Sequence, residues 1–150
     1  MRRLRKKFKR HRMGWSTALI EEEKGLLKEF GLNRKKEILR ARETLRQYRR
    51  RARELIAVGN KEKEKVLIEK LVKLGILENN SGLDDVLALT VNDILKRRLQ
   101  TIVFKKGIGK TIKDARQRIT HGHIFIGDKK NRYPSYMVLV EEERKIKVKG

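Results

Sequence analysis

The chain has 150 residues, 41 of them Lys or Arg against 19 Asp or Glu, for a formal net charge of +22. With 38% apolar and 40% charged residues, the apolar share is thin for a self-sufficient globule, and self-repulsion of this size points to a polyanionic partner. The absence of cysteine excludes disulfides, cysteine-ligated zinc, thiol catalysis and iron–sulfur clusters, and no apolar run approaches the ~20 residues of a membrane span.

Residues 1–15 hold eight Lys or Arg and no acid. No apolar stretch succeeds them, so they do not read as a secretory signal, and Glu21, Glu22 and Glu23 fit a transit peptide poorly. The expectation is a basic arm that orders on binding, with Arg2, Arg3, Arg5, Lys6, Lys7, Lys9 and Arg10 as contacts. Trp15 would anchor the arm, by stacking or by packing on the neighbouring helices.

Glycines punctuate the rest of the chain. A helix is predicted from about Ser16 to Phe30, stopped by Gly31, with Leu19, Ile20, Leu26, Leu27 and Phe30 roughly on one face. A second runs from Asn33, as N-cap, to Val58, with Gly59 as its stop. Its apolar residues, Ile38, Ala41, Leu45, Tyr48, Ala52 and Leu55, alternate spacings of three and four, which makes one helical face. Beside that face lies a basic band, and too few acids stand four residues away to neutralise it. Arg46, Arg49, Arg50, Arg51 and Arg53 are therefore candidate phosphate ligands, because the planar guanidinium can take two phosphate oxygens at once. A third helix, from about Lys61 to Leu74 and ended by Gly75, would bury Val66, Leu67, Leu71 and Leu74.

The character changes after a loop from Glu78 to Gly82. Asp84 and Asp85 are adjacent, so they diverge on any regular element; capping of a loop or helix start suits them better than a catalytic pair. Capping boxes at Thr90 with Asp93 and at Thr111 with Asp114 mark helices near 91–106 and 112–120. In the latter, Ile112, Ala115 and Ile119 face inward, opposite Lys113, Arg116, Gln117 and Thr120. The period then shifts to that of strands. Residues 123–126 and 129–132 flank Gly127-Asp128, a hairpin signal, and further strands are expected at 136–140 and 145–148. The fold class is α+β: an N-terminal helical unit, then a small module of two helices and a mostly antiparallel sheet.

The charge is segregated. Residues 1–15, 34–53 and 96–118 take 27 of the 41 basic residues and three of the 19 acids, whereas 59–95 hold five Lys against seven acids. Such blocks suit phosphate contact, which mere solubility does not require.

The run KTIKDARQRITHGHIFIG, followed by RYPSYMV, resembles the RNA-binding module named after the S-four ribosomal protein. The matching positions are Thr111 opening the helix, Ala115-Arg116 within it, Ile119, and Gly122 before the strand. Upstream, LDDVLALTVNDILKRRLQTIVFKKG, RRLRKKFKR, IEEEKGLLKEFGL and YRRRARELI resemble the archaeal and eukaryotic branch of the small ribosomal subunit protein four family. The resemblance covers nearly the whole chain. It implies a structural constituent of the small subunit that binds rRNA around a multi-helix junction of the 5′ domain and nucleates assembly. It also implies a cytoplasmic, ribosomal place beside other ribosomal proteins where mRNA enters, with mRNA as a further contact and an influence on accuracy. No cofactor, metal, membrane or small-molecule substrate is implied. Zinc bound through N-terminal cysteines, as in some relatives, is ruled out for a chain without cysteine.

On this reading the chain divides into an arm at 1–15, a helical rRNA-binding unit at 16–96 and the RNA-binding module at 97–150. The module's contacts would be Arg97, Arg98, Lys105, Lys106, Lys110, Thr111, Lys113, Arg116, Gln117, His121, His123, Arg132, Tyr133 and Tyr136. They would recognise RNA shape, backbone and 2′-hydroxyls, because side chains do not read the deep groove of A-form RNA. His121 and His123 read better as turn residues facing RNA than as a metal pair, since no third ligand is near. Tyr133 and Tyr136 admit both base stacking and packing within the sheet. An RNA-modifying enzyme with the same module would need a separate catalytic domain, and the residues before 97 read as helical and basic with no convergent catalytic set. A stand-alone RNA binder would not need the N-terminal helical unit.

Overall fold

The computed structural model describes residues 8, 9 and 16–148. The expectations for Arg2, Arg3, Arg5, Lys6, Lys7, Arg10 and Trp15 lie outside the described residues. Helix α1 (Thr17–Glu29) leads into the long α2 (Lys35–Val58) and α3 (Lys61–Lys73). The stripe predicted on α2 is its buried side: Ile38, Ala41, Leu45 and Ala52 are buried, and Tyr48 and Leu55 pack half-buried against the same cluster. Gly59 stops α2 in the left-handed conformation, its N–H donating to Leu55 O at 2.8 Å. The N-cap of α2 is Arg34, one residue later than expected. In α3, Leu67 and Leu71 are buried and Leu74 is half-buried, but Val66 is 66% exposed. It falls on the outward side of a helix that has one covered face.

Helix α4 (Leu83–Ala88) was not foreseen. Asp85 caps it, accepting from the Gly82 N–H at 2.8 Å, which is the capping role that the sequence assigned to the acidic pair. The helix expected at 91–106 is two, α5 (Val91–Lys96) and α6 (Leu99–Lys105). The backbone turns extended at Arg98 and bridges Met137. The Leu99 N–H donates to Tyr136 O at 2.8 Å, and the Val138 N–H donates to Arg97 O at 3.1 Å. Tertiary pairing thus overrides helical propensity, and it lets Ile94 and Leu95 enter one core while Leu99, Ile102 and Val103 enter another.

Helix α7 (Ile112–His121) carries Ala115 and Ile119 inward as predicted. Strands β1 (Ile124–Ile126), β2 (Lys129–Lys130) and β3 (Ile146–Val148) form an antiparallel sheet in the order β2-β1-β3. The strand expected at 136–140 is replaced by the single bridge at Met137 and a short helix α8 (Val140–Glu143). Its Leu139 N–H is taken by Glu142, and consecutive Glu residues suit a helix start. The fold is α+β, as expected. Among the described residues no helix is long and apolar enough to cross a membrane.

The two clusters of buried apolar side chains divide between Leu95 and Leu99. They meet where the end of α1 approaches the start of α7. Gly31 sits there at φ +54°, and a Cβ on it would overlap Ile112 Cγ2. Gly31→Ala should therefore lower unfolding free energy by about 2–4 kcal/mol, from backbone strain plus overpacking. Gly25, in mid-α1 with nothing within 4 Å of a Cβ, should gain about 0.5–1 kcal/mol as Ala. Urea unfolding of the two variants checks both signs, and a neutral Gly31→Ala would refute the close approach.

Candidate nucleic-acid interface

Glu37 lies in the first turn of α2, where a carboxylate is favoured. It accepts from Arg98, and from Arg116 through Nη1 and Nη2 at 3.1 Å each. Gln100, 1% exposed, completes the junction. Its Nε2 donates to Phe30 O (3.2 Å), Gly31 O (3.0 Å) and Ile112 O (3.2 Å), and its Oε1 accepts from Arg116 at 3.1 Å. Burial raises the Glu37 pKa, but hydrogen bonds from Arg116 and Arg98, with their charges, outweigh that and hold it below its ordinary value. Burial lowers the pKa of Arg98, and Glu37 opposes that effect.

This arrangement gives part of the expected contact set internal partners. Arg98 is 5% exposed and is an internal ion pair, because the extended backbone at the α5–α6 break directs it into the junction. Arg97 is half-buried, donating to Glu143 at 2.9 Å and to Val138 O at 3.1 Å. Arg116 shows 20% of its side chain and has its outer two nitrogens on Glu37. Arg49 donates to Leu89 O, half-buried, so it serves the fold first. Lys106 reaches Glu143 O, and Tyr136 OH donates to Glu142 at 2.9 Å.

The remaining expected residues face solvent. Arg46 and Arg50 pair within α2 with Glu43 and Glu54, both at 2.8 Å, and exposed pairs of this kind yield readily to a stronger anion. Arg51, Arg53, Lys105, Lys110, Lys113, Gln117, His121, His123, Arg132 and Tyr133 are exposed, as is Lys9 among the described residues of the arm. Thr111 is the N-cap of α7, accepting from the Asp114 N–H at 3.1 Å. The Lys110 backbone N–H, at 2.9 Å, holds the Asp114 carboxyl below its ordinary value, and Arg118 adds to this. The rings of His121 and His123 are 6.3 Å apart. Among the described residues no three His, Cys, Asp or Glu converge as a metal would need.

Two cations escaped the sequence reading. Arg40, exposed on α2, lies one turn beyond Glu37 and acts electrostatically on Arg98. Lys130 lies over Gly122: a Cβ there would overlap its Cε and stand 2.8 Å from its Nζ and 3.2 Å from Arg132 Nε. A glycine followed, past a hairpin, by LysLys-x-Arg was the available signal. Across the sheet Phe125 registers with Lys130 and with Lys147, so both lysines share its face.

The S4 domain family matches residues 97–143. The chain is 46% identical to "Small ribosomal subunit protein uS4" of Ignicoccus hospitalis, over 97% of this chain and 89% of that protein. It is 45% identical to the protein of the same name from Korarchaeum cryptofilum, with the same coverage.

Removing Glu37 leaves Arg98 buried without a counter-charge, so Glu37→Ala should cost about 3–5 kcal/mol. The folded pKa lies below the ordinary 4.5. The stabilisation is therefore complete above that value and is lost as the pH falls through the folded pKa. Urea unfolding across acid pH should show the wild type losing stability more steeply than Glu37→Ala below pH 4.5. Parallel profiles would remove Glu37 from this role.

Proposed function

The chain belongs to the small ribosomal subunit protein uS4 family, and on that premise we propose that it is a structural constituent of the small ribosomal subunit that binds small-subunit rRNA directly and is not an enzyme. The observation that carries the reading is the division of its cations. The structure engages Arg97, Arg98 and Arg116 internally, while Lys110, Lys113, Gln117, His121, Lys130 and Arg132 remain exposed on and beside α7. A fold that needed only internal pairs would have no use for the remainder, whereas phosphate contact does.

In this proposal the arm at 1–15, the helical unit at 16–96 and the module at 97–150 all bind rRNA. Arg46, Arg50, Arg51 and Arg53 supply the edge of α2, and the exposed face of α7 supplies the module's share. The protein binds early, at a junction of the 5′ domain, and nucleates assembly there. It sits in the cytoplasmic ribosome beside neighbouring small-subunit proteins where mRNA enters, touches mRNA, and bears on accuracy.

Two measurements test this. In sedimented extract of the source cell the protein should travel with the small subunit; recovery only in the free soluble fraction would overturn the proposal. On a 5′-domain transcript, Lys113→Ala should weaken binding and reduce the slope of log affinity against log salt by about one. Arg98→Ala should instead act on stability and leave that slope in place for the folded fraction.

A further inference from the structure

The chain carries a net charge of +22, yet one groove on its surface has the opposite sign. It lies between the end of α3 and α8, with a volume of about 580 Å3, inside the range of roughly 300–1,000 Å3 common among binding sites. Val72, Leu77, Leu139 and Val140 supply apolar wall. The first three are half-buried, and Val140 is 42% exposed. Glu78, Glu141 and Lys73 also line the groove, all of them exposed. Glu142 and Glu143 are engaged by Tyr136 and Arg97, but neither Glu78 nor Glu141 has an ion-pair partner among the described residues. Two free carboxylates against one ammonium leave the groove negative.

The groove is formed before anything binds. Gly75 stands at φ +65°, and a Cβ on it would lie 2.8 Å from Val140 Cγ2. That close approach seats α8 against the end of α3. The ion pair of Arg97 with Glu143, at 2.9 Å, ties α8 to the end of α5 as well. A wall already in place need not be ordered on binding.

Charge and chemistry select the occupant. An RNA phosphate would meet two carboxylates, and valine and leucine side chains offer a base neither a stacking plane nor a hydrogen bond. A neutral small molecule would leave both carboxylates unused. We propose that this groove is a protein-docking site, and that its occupant is a basic segment of another protein carrying one aliphatic or aromatic anchor. The anchor would enter between Val72, Leu77, Leu139 and Val140, and flanking Lys or Arg would meet Glu78 and Glu141. The proposal does not rest on the RNA-binding reading, since none of these residues is among the expected RNA contacts.

The test pans a phage-displayed library of random peptides against the full chain, with counter-selection on the double variant Glu78→Gln/Glu141→Gln. The enriched sequences should share an apolar residue flanked by Lys or Arg. The rest of this surface repels such peptides, so their enrichment points to the groove. The most enriched peptide, made synthetically, should bind the double variant about tenfold more weakly than the wild type. The melting temperature of that variant should stay level, because both carboxylates are exposed and unpaired. Val140→Gln should weaken the same peptide by loss of apolar contact. An acidic or uncharged consensus, no enrichment, or equal affinity for wild type and double variant would overturn the site. A wild-type dimer in sedimentation that the double variant dissociates would overturn it too, by making a second copy the occupant.

Discussion

One carboxylate holds the architecture. Glu37 is the meeting point of a helix that packs into the first hydrophobic cluster and two arginines, at the N-cap of α6 and within α7, whose helices pack into the second. Arg98 is almost wholly enclosed, and a buried cation is tolerable only where a counter-charge and hydrogen bonds replace water. Gln100 extends the same logic to neutral groups: one side-chain amide satisfies three backbone carbonyls from two parts of the chain. Polar contact of this kind is specific in a way that apolar contact is not, because a small rotation of either unit would strand several buried groups at once.

The arrangement also explains how so basic a chain folds. Its acids are few, and many serve as internal counter-charges. Glu23, buried beneath Lys35 and Arg42, ties α1 to α2; Glu143 takes Arg97; Asp114 takes Arg118. The cations these acids hold make the structure. Those left over include the exposed cations of α7, the β2 strand and the edge of α2, whose mutual repulsion in the free protein a polyanion would relieve.

Much of this was legible in the sequence. The helical stripe on α2, the stops at Gly31, Gly59 and Gly75, the Gly127-Asp128 hairpin and the α+β class all come from local pattern, and local pattern is what period and turn chemistry record. What the pattern did not record shares a cause. The break at Arg97-Arg98, the lost strand at 136–140 and the pairing of Arg98 and Arg116 with Glu37 all depend on partners distant in the chain, as with Glu37 and Arg116, whose separation is 79 residues. An arginine in a basic run looks the same whether it will face phosphate or a buried carboxylate. Composition located the surplus charge by block, and only tertiary contact could sort it residue by residue.

The break at Arg97-Arg98 bears on how modular this module is. The S4 domain match begins at residue 97, so a recombination event that lifted the domain out at that point would carry Arg98 and Gln100 with it. In a new host Arg98 would arrive as an enclosed charge lacking its acid, and Gln100 would lose two of its three carbonyls. Ile112 would lose the glycine that makes room for it. Exchange of the domain between proteins therefore requires these junction positions to be rewritten together, while the exposed face of α7 can travel unchanged.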